Sequence, residues 1–414
     1  MGGAASALEG SKISLIHEIP QELQSWASLP LLLPSDESYD ASKDFRSWEF
    51  DIWQLNNEQM VLMSMHICND FNFPTLFGFE TSVWLHFVWE VQRLMSITTN
   101  PYHNFRHIMD VSQSVSCIVN QFSASFWLHD FDMFAVYIAA IVHDLEHPGT
   151  NNVYQVNAMT PLALRYNDIS VLENHHCSKA FEVFALPQCN ITHVFKPEQN
   201  RYLRKTIISL VLITDMTQHF NLRGELDAVI TRHTIDAEPT KLDEKDTLVV
   251  LKSILHTSDI SNPAKPWATS KRWSDLVLQE FLEQGDREKV ESLPVSMNCD
   301  RNTTQQDELS LNFCDFIVAP FFFSMAKLLP KMLSVCKILE ANRDEWNNLY
   351  TARAATFEDE NARKEGLDRW AARRSAFADK MLVLETSLKA AWTSPSQRNL
   401  DLTESTTTST EDNH

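Results

Sequence analysis

"DMFAVYIAAIVHDLEH", residues 132–147, is the stretch on which the fold turns. Its first eleven residues are almost wholly apolar and lack strand-like alternation, which over this length reads as a buried helix. His143, Asp144 and His147 then follow within five positions. An ionised carboxylate on an apolar helix is costly unless it is paired or binds a metal, so Asp144 reads as a ligand in preference to a cap or salt bridge. With His143 it offers one nitrogen and one oxygen donor from a single helix turn, and the same periodicity would set His147 one turn further on the same side. Imidazole and carboxylate are the usual ligands of zinc and similar divalent ions, and one carboxylate can bridge two ions.

Upstream, "NPYHNFRHIMDV" (100–111) repeats the theme, with His103 and His107 four apart beside Asn104 and Asp110. Eleven of the fifteen histidines fall between residues 103 and 256, and this clustering separates them from background. Isolated histidines such as His129, His193 and His233 read instead as surface or core residues. Downstream, "LHTSDISNPAKP" (255–266) ends an apolar helix at Asp259, alone a weak signal because an Asp near a helix end commonly bonds locally. Glu173, Asn174, His175 and His176 read either as groups orienting ligands and water or as a polar helix segment.

The 414-residue chain is 44% hydrophobic, enough for a sizeable core. Only four of its eight glycines lie between residues 46 and 350, while apolar stripes at helical spacing recur throughout; the expected fold is all-α. Seven cysteines without a CxxC pair suggest neither a disulfide framework nor a zinc ribbon. No apolar run reaches membrane-spanning length, since "IVAPFFFSMA" stops after ten residues. A net charge of −20 argues against nucleic-acid partners. An anionic substrate would then need a local positive centre, which bound cations supply.

Four segments are expected: an N-terminal arm over 1–45, one helical domain over 46–350, a charged amphipathic helix over 351–393, and a disordered acidic Ser/Thr tail over 394–414. "MGGAAS" matches the myristoylation pattern at Gly2. One acyl chain anchors only marginally, so the expected location is the cytoplasm or the cytoplasmic face of a membrane. In the long helix Trp370, Phe377, Leu384 and Ala391 recur every seven residues, beside a row of Leu367, Met381 and Leu388 interrupted by Arg374. Two packings suit this: a coiled coil with a second copy, giving a homodimer, or burial against its own domain.

The set "YHNFRHIMDV", "HDLEHPGTNN", "YNDISVLENHH", "TDMTQH" and "SDISNPAK", in this order and spacing, resembles the class I cyclic-nucleotide phosphodiesterases over about residues 56–345. The resemblance implies an all-helical HD-type catalytic domain holding two divalent ions, zinc and magnesium, with manganese as an alternative, and a small-molecule cyclic nucleotide as substrate. It implies that His107, His143, Asp144 and Asp259 are metal ligands, with Asp144 shared between the ions, and that His147 and Glu173 order water around the second. His103 would protonate the leaving oxygen, oriented by Glu280 of "LQEF". This agrees with the residue chemistry: two close cations activate a water and hold phosphate oxygens for in-line attack, while a histidine near them but not bound to them donates the proton.

The resemblance fails at the base pocket. Against "ELSLNFCDFIV" (308–318) the family's aromatic falls on Phe313, but its glutamine falls on Ser310, and Gln305 and Gln306 come too early. A serine is too short for the paired amide contacts a glutamine makes with a purine edge. Tyr102, Met216, Ile260, Asn262, Val277 and Phe281 match other pocket positions, and each is equally explained as core packing. The leading expectation is hydrolysis of cyclic AMP, cyclic GMP or both to 5′-monophosphates. The alternatives are an HD-type phosphohydrolase of another nucleotide, against which the HNxxH motif counts, and a nucleotide-binding scaffold with weak catalysis.

Overall fold

A computed structural model describes residues 40–233 and 242–392; Gly2, most of the arm and the Ser/Thr tail lie outside them. Among the described residues every regular element is helical, as composition and periodicity predict. The helix Asp130–Val142 runs through the centre, and every residue from Phe134 to Val142 is buried. It lies against Phe105–Val119, itself buried from His107 onward, and against Pro197–Leu212. Glu244–Asp259 packs on both Phe105–Val119 and Asp130–Val142. The helices that deliver His107, His143 and Asp259 are therefore mutual neighbours, held by the core rather than by the polar groups. At the far end Phe134 packs with Phe73, Phe77 and Phe195 at ring separations of 4.8–5.8 Å. A phenylalanine ring that is fully buried, as Phe73 and Phe134 are, contributes about 1.5–3 kcal/mol.

Helix ends differ from the sequence expectation at two places that matter. The central helix stops at Val142. His143 caps it, a short turn follows, and Glu146 adopts a left-handed backbone with φ of 60° before Pro148, which cannot continue a helix. His143 and His147 are thus not neighbours on one helix face. The long C-terminal helix begins at Glu360, not near 352, because Leu333–Ala354 is a separate helix. A five-residue break ends at Asp359, whose Oδ1 accepts the backbone N–H groups of Asn361 and Ala362.

The seven-residue stripe of Glu360–Trp392 faces its own domain: Trp370, Phe377, Leu384, Met381 and Leu388 are all buried within the chain. Of the two packings the pattern allows, this is the second. A π turn over Cys314–Val318 joins Gln306–Phe313 to Ala319–Leu328, so the helical run Gln306–Leu328 is long and apolar enough to cross a membrane by length and composition. The run is longer than the ten apolar residues seen in sequence because the helix also includes its polar start. Phe321, Phe322 and Met325 are fully buried in the core, and Asp315 is paired with Arg343 and Arg373. All seven cysteines are buried free thiols.

Candidate active site

Asn104 caps the Phe105–Val119 helix, its side chain accepting the backbone N–H groups of Arg106 and His107. This places His107 in the first turn, pointing inward, and leaves His103 in the preceding loop. Nε2 of His107 lies 3.3 Å from Asp144 Oδ2 and 3.2 Å from Asp259 Oδ1. Nε2 of His143 lies 3.3 and 3.4 Å from the same two oxygens. None of these contacts is a hydrogen bond, and both Nε2 atoms are buried with no hydrogen-bond partner. Four donors converge on one point without satisfying one another.

Donors bound about 2.0–2.2 Å from one ion stand about 2.8–3.6 Å apart in octahedral or tetrahedral arrangements, so the observed separations fit a single divalent cation. His143 Nδ1 donates to the Ala140 carbonyl at 2.9 Å, which fixes the tautomer that leaves Nε2 bare. Burial opposes every charge here and is the largest single influence on each group. The pairing nevertheless wins: the Asp144 and Asp259 carboxyls lie well below the carboxylate range beside His107 and His143, and both imidazoles are raised by the two carboxylates. The site attracts positive charge to the point the four donors share.

A second cluster, His103, His147 and Glu280, lies alongside. Glu280 Oε1 bonds His103 Nδ1 at 2.5 Å, and its Oε2 accepts the backbone N–H groups of Tyr102 and His103, each at 3.0 Å. Burial would lower the His103 imidazole, but the Glu280 carboxylate outweighs it and raises the group to about 9. Glu280 itself, although burial pushes it up, is held down to about 2 by His103. His147 stacks on His103 with ring centroids 3.9 Å apart; burial and the neighbouring His103 charge keep it neutral, well below the usual imidazole range.

Asn100 ties the two histidine motifs together, donating from Nδ2 to the carbonyls of His103 at 2.9 Å and His147 at 2.7 Å. Gly149, with φ of +76°, must lack a side chain, since a Cβ there would fall 2.6 Å from Asn100 Oδ1. Tyr102 and Asn262 join the first motif to the third: the Tyr102 hydroxyl donates to Asn262 Oδ1, whose amide donates to Asp110. His219 of "TDMTQH" bonds His256, on the helix that ends at Asp259. Glu173 stands apart from both clusters, accepting from Asn152, and burial raises it to about 7. Nε2 of His176 lies 3.8 Å from the other oxygen of Asp144.

On the remaining wall, Ser310 Oγ lies 3.1 Å from Ser274 Oγ, across from the Trp267–Val290 helix that also carries Val277, Glu280 and Phe281. Gln306 commits its amide nitrogen to Ser274 at 3.1 Å and Asp275 at 2.7 Å, so it does not replace the missing glutamine. Phe313, Val277 and Phe281 are half-buried, Ile260 is buried, and Met216 is 44% exposed. The isolated histidines are structural: His193 bonds the Asn190 carbonyl and His233 pairs with Asp246. Sequence reasoning missed Asn100, whose one signal is the Asn-Pro turn. It also missed Trp273, about two helical turns before Glu280, whose ring meets those of Tyr102 and His107.

The family model described as 3′5′-cyclic nucleotide phosphodiesterase matches residues 102–339. The chain is 33% identical over 337 residues to the 3′,5′-cyclic-nucleotide phosphodiesterase regA of Dictyostelium discoideum, covering 81% of this chain and 42% of that protein. It is 34% identical over 329 residues to the high affinity cGMP-specific 3′,5′-cyclic phosphodiesterase 9A of Mus musculus, covering 78% of this chain and 58% of that one. The chain thus spans about half the length of these relatives. Among solved structures it is similar to the phosphodiesterase domain of the RhoPDE fusion protein from the choanoflagellate Salpingoeca rosetta, with a TM-score of 0.71 and 27% identity over 77% of this chain and all of that one.

Proposed function

Because the chain belongs to the 3′5′-cyclic nucleotide phosphodiesterase family, we propose that it hydrolyses cyclic AMP and cyclic GMP to their 5′-monophosphates in second-messenger signalling. The observation that carries this reading is the pair of adjacent clusters: four donors converging on one cation position, with a carboxylate-held imidazole beside them that is not among the four. Two imidazoles and two carboxylates suit zinc, and Asp144 would also hold a second, harder ion, magnesium or manganese, whose water shell His147 and Glu173 would order. When bound, such ions polarise the phosphate and lower the pKa of water.

The chain's own residues do the rest. Glu280 occupies Nδ1 of His103, so the proton available to the substrate sits on Nε2. As the phosphorus–O3′ bond breaks and water adds to phosphorus, that proton passes to O3′. Phe313 offers a face for the base, and Tyr102, Asn262 and Asp110 hold the intervening wall by their hydrogen-bond chain. We place the protein in the cytoplasm, at the membrane face when Gly2 is acylated. A homodimer formed through the last helix would have to use its outer face, where Leu382 and Val383 are exposed, because the inner stripe is already buried.

Base choice follows from Ser310. A hydroxyl both donates and accepts, so the Ser274–Ser310 pair can meet the acceptor of either purine or its donor. A site built for one pattern rejects the other by about 10⁴–10⁵, and this one has no such pattern to enforce. Side-by-side assays with magnesium or manganese should therefore give kcat/KM values for the two nucleotides within about tenfold. Both activities should be lost on chelation. A preference above a hundredfold would refute the hydroxyl argument, and metal-independent turnover the mechanism.

A further inference from the structure

The family match ends at residue 339, yet the helix Glu360–Trp392 beyond it packs on the very helix that carries Ser310 and Phe313. Gln306–Phe313 is held between two layers. Its inner row, Gln306 and Ser310, faces Ser274. Its outer row is occupied by the later elements: Leu311 packs in a cluster with Trp346, Tyr350, Ala354 and Trp370, and Glu308 meets Arg353 at 2.8 Å and Arg369 at 3.5 Å.

The tightest point is Arg373. Its Nη1 donates to Asn312 Oδ1 at 2.8 Å and its Nε to Asp315 Oδ2 at 2.9 Å, while Arg343 takes the other Asp315 oxygen at 2.8 Å. Asp315 lies inside the π turn that follows Phe313 directly. Such a turn departs from regular helical bonding and depends on its surroundings to persist. Two forked guanidiniums on one carboxylate, with one of them also gripping Asn312, fix the turn in a single orientation.

We propose that Arg373 is a positioning residue for the nucleotide base: by holding Asn312 and Asp315 from outside, it sets where Phe313 and Ser310 stand against Ser274. The inference rests on the phosphodiesterase reading and adds an element that lies beyond the residues matched by the family model. Arg373 touches neither the cation donors nor His103, so its loss changes substrate binding and leaves the chemical step alone.

The test compares Arg373→Ala and Arg373→Lys with Arg363→Ala, a half-buried arginine on the same helix whose partner is Glu360 at 3.9 Å. Arg373→Ala should raise KM for both cyclic nucleotides about 3- to 30-fold, the range that coupled positions typically span. Its kcat and metal content should match wild type. Arg373→Lys, which keeps the charge but not the fork, should fall between, and Arg363→Ala should be unchanged. An unaltered KM in Arg373→Ala overturns the proposal, as does a joint fall of kcat and metal content, which would mark general loosening. If the metal-loaded wild type cleaves neither nucleotide, the underlying reading fails instead.

Discussion

Asp144→Asn abolishes turnover and metal retention together: kcat falls by at least about 10³, the upper end of what removing one preorganised charge-stabilising group costs. Asp144 Oδ2 faces both His107 and His143 across 3.3 Å, while its other oxygen lies 3.8 Å from the buried His176. The amide removes the charge that draws a cation to this point and replaces one oxygen donor by an N–H₂ group that binds no metal. Hydrolysis and metal content measured on one preparation decide the matter. Full metal content in the variant would remove Asp144 from the ligand set.

His103→Asn keeps the metals and slows the reaction by about 10²–10⁴, the usual contribution of a general acid. Glu280→Gln tests the same pair through pH. The acid form of His103 exists below its pKa, so activity persists from neutral pH upward and is lost as pH rises through about 9. With Glu280 uncharged, the largest influence that raised the imidazole is gone, leaving only Asp144 and Asp259 against the burial that lowers it. The alkaline limb of kcat/KM then moves down toward, or below, the ordinary value of 6.5. At pH 8 the variant would lose most of its activity and recover it at lower pH. An unmoved limb would separate Glu280 from the titration, and parallel metal loss would make His103 a ligand.

The residues that could be read from the chain are those whose chemistry conflicts with their surroundings. Asp144 after eleven nearly apolar residues, and His103 and His107 around Asn104, require a partner wherever they fold, and the structure brings His107, His143, Asp144 and Asp259 to one point. What could not be read depends on backbone geometry and distant contacts. The end of the central helix at Val142 is set by the left-handed Glu146 and by Pro148, and periodicity alone continues through it. The break at 355–359 is equally silent, since helix-forming residues flank it on both sides. Gln306 carries the side chain expected of the missing glutamine, yet Asp275, thirty-one positions away, decides where its amide goes. Arg373 looks like any charge on a solvated helix until Asn312 and Asp315 are seen beneath it.

The order in which the chain is made gives the clasp around Asp315 another meaning. The cation donors are complete once Asp259 has emerged from the ribosome, but Trp370 and Arg373 follow more than a hundred residues later. At about 5–20 residues per second this is an interval of roughly 6–20 s. In its last part, once Tyr350 has been made, Leu311, Trp346 and Tyr350 still lack the ring that later covers them, and the turn after Phe313 has one arginine instead of two. The catalytic pocket is thus made from its metal end toward its base end, and a nascent chain stalled late in that interval, after Glu280, would carry all its hydrolytic residues with an unfinished wall.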